Sequence, residues 1–206
     1  GIECQKKLNK GACSKKRCVF PHLCGQMVPN HIRQINLLRK LRSLSNVKKV
    51  FIGSGLRYDL ILDDKENGRK YLQEIVKHHV SGQMKIAPEH IDNDVLKLMG
   101  KPENNRLIDF KKEFYAITKK ENKKQFLTYY FIAAHPGSGT KEMMELKKFV
   151  KSELKLNPEQ VQIFTPTPST YSTLMYYTEI DPFTKEKVFV EKKPPQKEKQ
   201  KKIITG

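Results

Sequence analysis

Three apolar runs in this chain end in short loops rich in glycine, proline and charge, and each loop leads into a segment with helical spacing. They are Phe51-Ile52-Gly53-Ser54-Gly55-Leu56-Arg57-Tyr58-Asp59, Lys85-Ile86-Ala87-Pro88-Glu89-His90 and Phe131-Ile132-Ala133-Ala134-His135-Pro136-Gly137. A strand that breaks into a polar turn and resumes as a helix is the repeating unit of a parallel sheet, and ligand groups sit on the loops at the carboxyl ends of such strands. This repetition restricts the fold more than any single residue does.

The segments between the loops follow the same cycle. His31 to Leu44 has apolar residues at Ile32, Ile35, Leu38, Leu41 and Leu44, one face of a helix, with Asn30 placed to cap it. Val47 to Ile52 reads as a strand stopped by Gly53 and Gly55. Glu66 to Val80 reads as a helix, Met84 to Ala87 as a strand, and Asp92 as the cap of a short helix through Met99. Leu107 to Thr118 is a longer amphipathic helix, and Phe126 to Ala134 is an apolar strand of the kind buried on both faces. Lys141 to Leu154 and Gln160 to Phe164 complete the alternation, so the spacing predicts four parallel strands with right-handed crossovers. After Pro168 the pattern fades. Phe183 to Val190 has a hairpin pattern around Thr184-Lys185-Glu186, and Lys192 to Lys202 is rich in lysine and proline, a composition that favours disorder.

With 206 residues, 37% hydrophobic and 30% charged, the chain has enough apolar material for one ordinary core. No apolar run approaches the roughly 20 residues that span a bilayer, so a membrane partner is not expected and a cytoplasmic setting is. The opening Gly1-Ile2-Glu3-Cys4 reads as the interior of a longer protein. A formal net charge of +18 points to a polyanionic partner, with RNA the leading candidate, although lysine outnumbers arginine and arginine is the better bidentate reader of phosphate.

Five blocks in order carry a family resemblance. They are Ile52 to Asp59, His78 to His90, Val95-Leu96-Lys97-Leu98-Met99-Gly100-Lys101-Pro102, Ile132 to Gly137, and Pro166-Thr167-Pro168-Ser169-Thr170-Tyr171-Ser172-Thr173-Leu174-Met175-Tyr176-Tyr177-Thr178. Together they resemble the C-terminal part of YgiQ-type radical S-adenosylmethionine (radical SAM) enzymes. The resemblance implies an incomplete TIM-barrel-like α/β fold, roughly half of a radical SAM βα barrel. It also implies reductive cleavage of S-adenosylmethionine and hydrogen abstraction from an unknown substrate, with a 4Fe-4S cluster as the second cofactor. In that superfamily three closely spaced cysteines hold the cluster. Here Cys4, Cys13, Cys18 and Cys24 are separated by eight, four and five residues. The cluster ligands and the N-terminal half of the barrel are therefore expected upstream, and the chain alone is expected to be inactive. On the same resemblance Gly53, Ser54, Arg57, Glu89, Pro136 and Gly137 would line the cofactor site, with His90 and His135 near substrate. The residues themselves leave alternatives: Arg57 paired with Asp59, Glu89 capping a helix, and the two histidines as ordinary loop residues.

The four cysteines form a separate N-terminal segment, 1–28, ahead of the barrel half at 29–182 and a basic tail at 183–206. In a reducing compartment they argue for metal rather than disulfides, as zinc or an auxiliary iron–sulfur cluster. His22 is a possible substitute ligand, and the alternative is reduced thiols without metal. A second function follows from charge and cysteines alone: a basic RNA-binding module with a structural zinc.

Overall fold

The computed structural model describes residues 4–11, 13 and 17–206. Its elements are, in chain order, α1 (Gln5–Lys10), α2 (Ile32–Arg42), α3 (Tyr58–Asp63), α4 (Gly68–His78), β1 (Gln83–Glu89), α5 (Asn93–Met99) and α6 (Asn104–Lys120), then β2 (Phe126–Ala133), α7 (Thr140–Phe149), β3 (Gln160–Ile163), α8 (Tyr171–Thr178) and α9 (Pro194–Thr205), so three of the four expected strands form. The strands form one open three-stranded parallel sheet in the order β1-β2-β3. Tyr130 pairs with Gln160 and Ala133 with Ile163.

The chain divides into two compact units that interleave along the sequence. The first comprises 1–12, 24–87 and 105–128, and the second 13–23, 88–104 and 129–206. These boundaries differ from a division at residues 28 and 182, because crossover helices return the chain to an earlier neighbourhood.

In the first unit α4 supplies the core. Tyr71, Leu72, Ile75 and Val76 are all buried, as is His79 just beyond the helix, and this is the face expected from their spacing. Helix α6 adds Leu107, Phe110, Phe114 and Ile117. Helix α2 departs from its pattern: only Ile35 is fully buried, and Ile32 and Leu44 remain exposed. The N-cap of α2 is His31, not the Asn30 that the spacing suggested; Asn30 sits one residue earlier, and its Oδ1 accepts the Ile32 N–H at 2.9 Å. Asp64 ties the unit together. Its carboxylate accepts N–H groups of His31 and Asn67 at 2.7 and 2.9 Å and meets His31 Nδ1 at 2.8 Å. Burial works against the Asp64 anion, but these donors outweigh it and hold its pKa below the ordinary value. Gly68 is required where α4 begins, since a Cβ there would lie 1.9 Å from the Ile61 carbonyl oxygen.

Val47 to Ile52 is not a strand. Among the described residues the only ladder contact on that side of β1 is a single parallel bridge, Leu56 to Ile86, with Leu56 N–H donating to Lys85 O at 3.0 Å. β-branched residues do not make a strand without a partner ladder.

The second unit contains the tail, and here the expectation of disorder fails. Helix α9 starts with Pro194 and Pro195 in its first turn, where their missing N–H groups cost nothing, and it packs on α7 and β3. Gln200 and Ile204, one turn apart, are buried there. The segment before it contains one antiparallel bridge, Ile180 to Lys187, which begins ahead of the hairpin expected at Phe183 to Val190. Strand β2 alternates between buried and half-buried positions instead of being buried on both faces. Helix α7 runs on as a π-helical turn, Val150–Leu154.

Candidate functional site

The carboxyl ends of β1, β2 and β3 open on a cleft of about 440 Å³ that lies wholly within the second unit. Glu89, Tyr130, Ile132, His135, Phe164 and the hydroxyls of Thr165, Thr167, Thr170 and Ser172 line it. Its volume falls in the usual range for small-molecule sites, roughly 300–1,000 Å³.

Backbone strain marks two of the strand ends. Glu89 has φ +68° and Ala134 has φ +58°, both in the left-handed region that residues with a Cβ avoid. Each such residue costs about 1–3 kcal/mol and persists only where its surroundings enforce it. At Glu89 the consequence is that the strand stops and the carboxylate borders the cleft. Lys101 Nζ approaches Glu89 Oε1 to 2.9 Å, and both side chains are largely shielded. Tyr130, on the next strand, has its phenol pKa raised by burial and, secondarily, by the Glu89 charge. Glu89 is not a helix cap: Asp92 caps α5, its Oδ1 accepting Val95 N–H at 2.9 Å as the sequence predicts.

The loop after β2 is built from both sides. Gly137 has φ +89°, a left-handed conformation that favours glycine; a Cβ there would also displace the movable end of Leu98, whose Cδ1 would lie 2.3 Å away. Its N–H donates to Phe189 O at 2.8 Å. Gln200 spans the loop from α9: Oε1 accepts Ala134 N–H at 3.0 Å, and Nε2 donates to Ser138 O at 3.2 Å. Sequence reading missed this residue because its signal, one glutamine in a lysine-rich tail, is indistinguishable from a solvated side chain. Helix α8, which brings Ser172 to the cleft, was also not predicted.

The two histidines have fixed tautomers. His135 Nδ1 donates to Pro136 O at 2.8 Å, leaving Nε2 to accept the Ser172 hydroxyl at 2.8 Å. Its ring meets Phe164 edge to face at 5.0 Å. His90 Nδ1 accepts Asp92 N–H at 3.0 Å, so Nε2 carries the proton and faces Ser138 Oγ at 3.3 Å. Burial pushes both imidazoles down to about 4, and both are neutral at physiological pH. His135 lines the cleft; His90 is buried outside its lining, held between Asp92 N–H and Ser138 Oγ.

Gly53, Ser54 and Arg57 belong to the first unit. Gly53 and Ser54 are exposed, and a Cβ on Gly53 would meet nothing within 4 Å, so packing does not demand glycine there. Arg57 Nε donates to Asp59 Oδ1 at 2.8 Å, and its Nη2 bonds Oδ2. The guanidinium, at the start of α3, is thus matched to a carboxylate in the first turn of that helix, the alternative that sequence left open.

The cysteines are unpaired thiols, with Cys4 and Cys24 in the first unit and Cys13 and Cys18 in the second. Among the described residues no three His, Cys, Asp or Glu side chains group as metal ligands. Nor, among them, is any helix long and apolar enough to cross a membrane.

An open parallel sheet with a polar cleft at its strand ends defines an α/β ligand-binding framework. Over its full length the chain is 59% identical to a UPF0313 protein of Fusobacterium nucleatum subsp. nucleatum, and it covers 36% of that protein. It is 46% identical over 98% of its length to a UPF0313 protein of Clostridium botulinum, covering 31% of it, and 44% identical to one of Clostridium perfringens, covering 30%. The chain therefore spans about a third of the length of the curated relatives it matches. A family model described as "Domain of unknown function (DUF3362)" matches residues 159–205, the stretch from β3 through α9.

Proposed function

We propose that this chain is a C-terminal portion of a radical SAM enzyme and that its cleft forms part of the wall that receives S-adenosylmethionine. The UPF0313 family of the relatives belongs to the radical SAM superfamily, and an open parallel sheet flanked by helices is the form that half of a βα barrel takes. The observation that carries the reading is Glu89: a strained, shielded carboxylate at the end of β1, bordering a cleft with one aromatic wall and a row of hydroxyls.

The donor set suits the cofactor. Glu89 offers an acceptor for an ammonium or ribose hydroxyls, and Phe164 with Ile132 an apolar surface for a purine ring. Beside a reduced iron–sulfur cluster, S-adenosylmethionine supplies hydrogen-atom abstraction. The described residues hold no ligand set for such a cluster, so this chain's part is confined to binding and positioning. Neutral His135, hydrogen-bonded to Ser172, accepts rather than donates at Nε2 and keeps the adjacent hydroxyl oriented. The assignment of Pro136 and Gly137, which follow His135 in the same loop, to the same cofactor forms part of the proposal.

Calorimetric titration of S-adenosylmethionine tests it, both on this chain and on a protein of the relatives' length that carries it. Glu89→Ala is expected to weaken binding at least about tenfold with an unchanged circular dichroism spectrum, corresponding to about 1.4 kcal/mol. Wild-type affinity in that variant, or no binding by either wild-type protein, removes the assignment.

A further inference from the structure

The first unit carries two open grooves that adjoin at Glu121 and Asn122. One, of about 650 Å³, lies along α2 and α4 and is lined by Arg39, Arg42, Lys70 and Lys77, with Glu74 and Glu121. The other, of about 680 Å³, lies at the end of α6 and is lined by Lys119, Lys123 and Lys124 with the rings of Tyr115 and Phe126 and no carboxylate. Seven basic side chains thus face two acids across the tract. Both acids are already matched: Glu74 by Arg39 and Arg42 at 2.8 and 3.2 Å, Glu121 by Lys77 at 3.8 Å.

Helix ends account for only part of this charge. The last turns of α2, α4 and α6 all contain basic residues that complement a helix dipole. Each helix carboxyl end carries roughly half a negative charge, so three of them offset well under the surplus. Lys123 and Lys124 lie beyond the last turn of α6. The second feature is aromatic: Tyr115 and Phe126 are 39% and 53% exposed beside these lysines, where a solvated face would carry polar residues.

We propose that this tract binds a single-stranded nucleic acid, with Lys119, Lys123 and Lys124 taking phosphates and Tyr115 and Phe126 stacking bases. An acidic peptide would satisfy the lysines and leave the rings idle. A duplex presents phosphates but hides its base faces. A single strand offers both, which is the recognised chemistry of such surfaces. The proposal is independent of the cofactor reading and requires no S-adenosylmethionine.

Fluorescence anisotropy of a labelled oligouridylate of roughly 12 nucleotides, titrated with this chain over a salt series, tests it. Log affinity is expected to fall linearly with log salt. The Lys123→Gln/Lys124→Gln variant is expected to reduce that slope by about 1.4, or about 0.7 per phosphate contact. Phe126→Ala is expected to weaken binding about tenfold with the slope unchanged. Tyr115→Ala, away from any strand, reads the same stacking should Phe126→Ala disturb β2. A duplex of the same length should bind more weakly. Equal binding of duplex and single strand, an unchanged slope in the lysine variant, or full affinity in both aromatic variants would overturn the proposal, leaving only nonspecific attraction to a basic surface.

Discussion

Two buried imidazoles make the second unit sensitive to acid. His90 and His135 are neutral in the fold with pKa values near 4, against the ordinary value of 6.5. Between those values the unfolded chain binds protons that the folded chain refuses, so stability falls as pH drops from about 6.5 toward 4 and is fully retained above 6.5. Each histidine contributes a slope of about 1.4 kcal/mol per pH unit inside that window. Urea melts at pH 7.5 and pH 5 should show a clearly lower midpoint at pH 5, with part of the loss removed in His135→Gln. Equal midpoints would mean that the rings are protonated at no cost. The carboxylates of Asp64 and Glu74 act in a separate, lower window, since their folded pKa values are depressed and their stabilisation is lost only once they are protonated. Glu89 illustrates a limit of sequence reading at this scale. Its identity and position at a strand end were legible, but its left-handed backbone, which singles it out physically, was not.

Helix α9 is the element on which the cleft most depends without contributing a lining residue. Gln200 is 2% exposed and satisfies one donor and one acceptor of the loop that bears His135. Replacing it with leucine keeps the volume but leaves Ala134 N–H and Ser138 C=O buried and unpaired. The expected loss is about 2–4 kcal/mol, measurable by chemical denaturation, with faster hydrogen exchange at Ala134. Gln200→Glu, which keeps the acceptor and loses the donor, should fall between. A loss below about 0.5 kcal/mol would show that water replaces the side chain without penalty. The lysine-rich composition that hid this helix is its solvent face; its buried face consists of little more than Gln200 and Ile204, too small a stripe to register as periodicity. Helix α4, with four buried apolar residues in succession around its turns, was legible for the opposite reason.

At the scale of the whole chain, charge dominates. A net +18 on 206 residues is self-repelling, and ion pairs such as Arg69 with Glu113 (71% and 32% exposed) are partly solvated and worth little each. Screening should therefore stabilise the fold. The Tm is expected to rise by several degrees between about 20 mM and 0.3 M sodium chloride, a range over which the Debye length falls from roughly 20 Å to below 8 Å. A falling Tm in a thermal-shift series would mean that pairs such as Arg39 with Glu74 outweigh the repulsion.

Sequence alone determined the alternation of strands and helices, the position of every strand that formed, and the polar residues at their carboxyl ends, because apolar period, glycine and proline act locally. Tertiary structure decided which of those segments found a ladder, leaving Val47 to Ile52 outside the sheet with a single bridge at Leu56 beyond it. It also decided that a lysine-rich tail would fold against α7 and β3, and that Arg57 would face Asp59. These outcomes depend on partners distant in the chain or on which of several charged neighbours lies within reach, and neither is encoded in the local pattern.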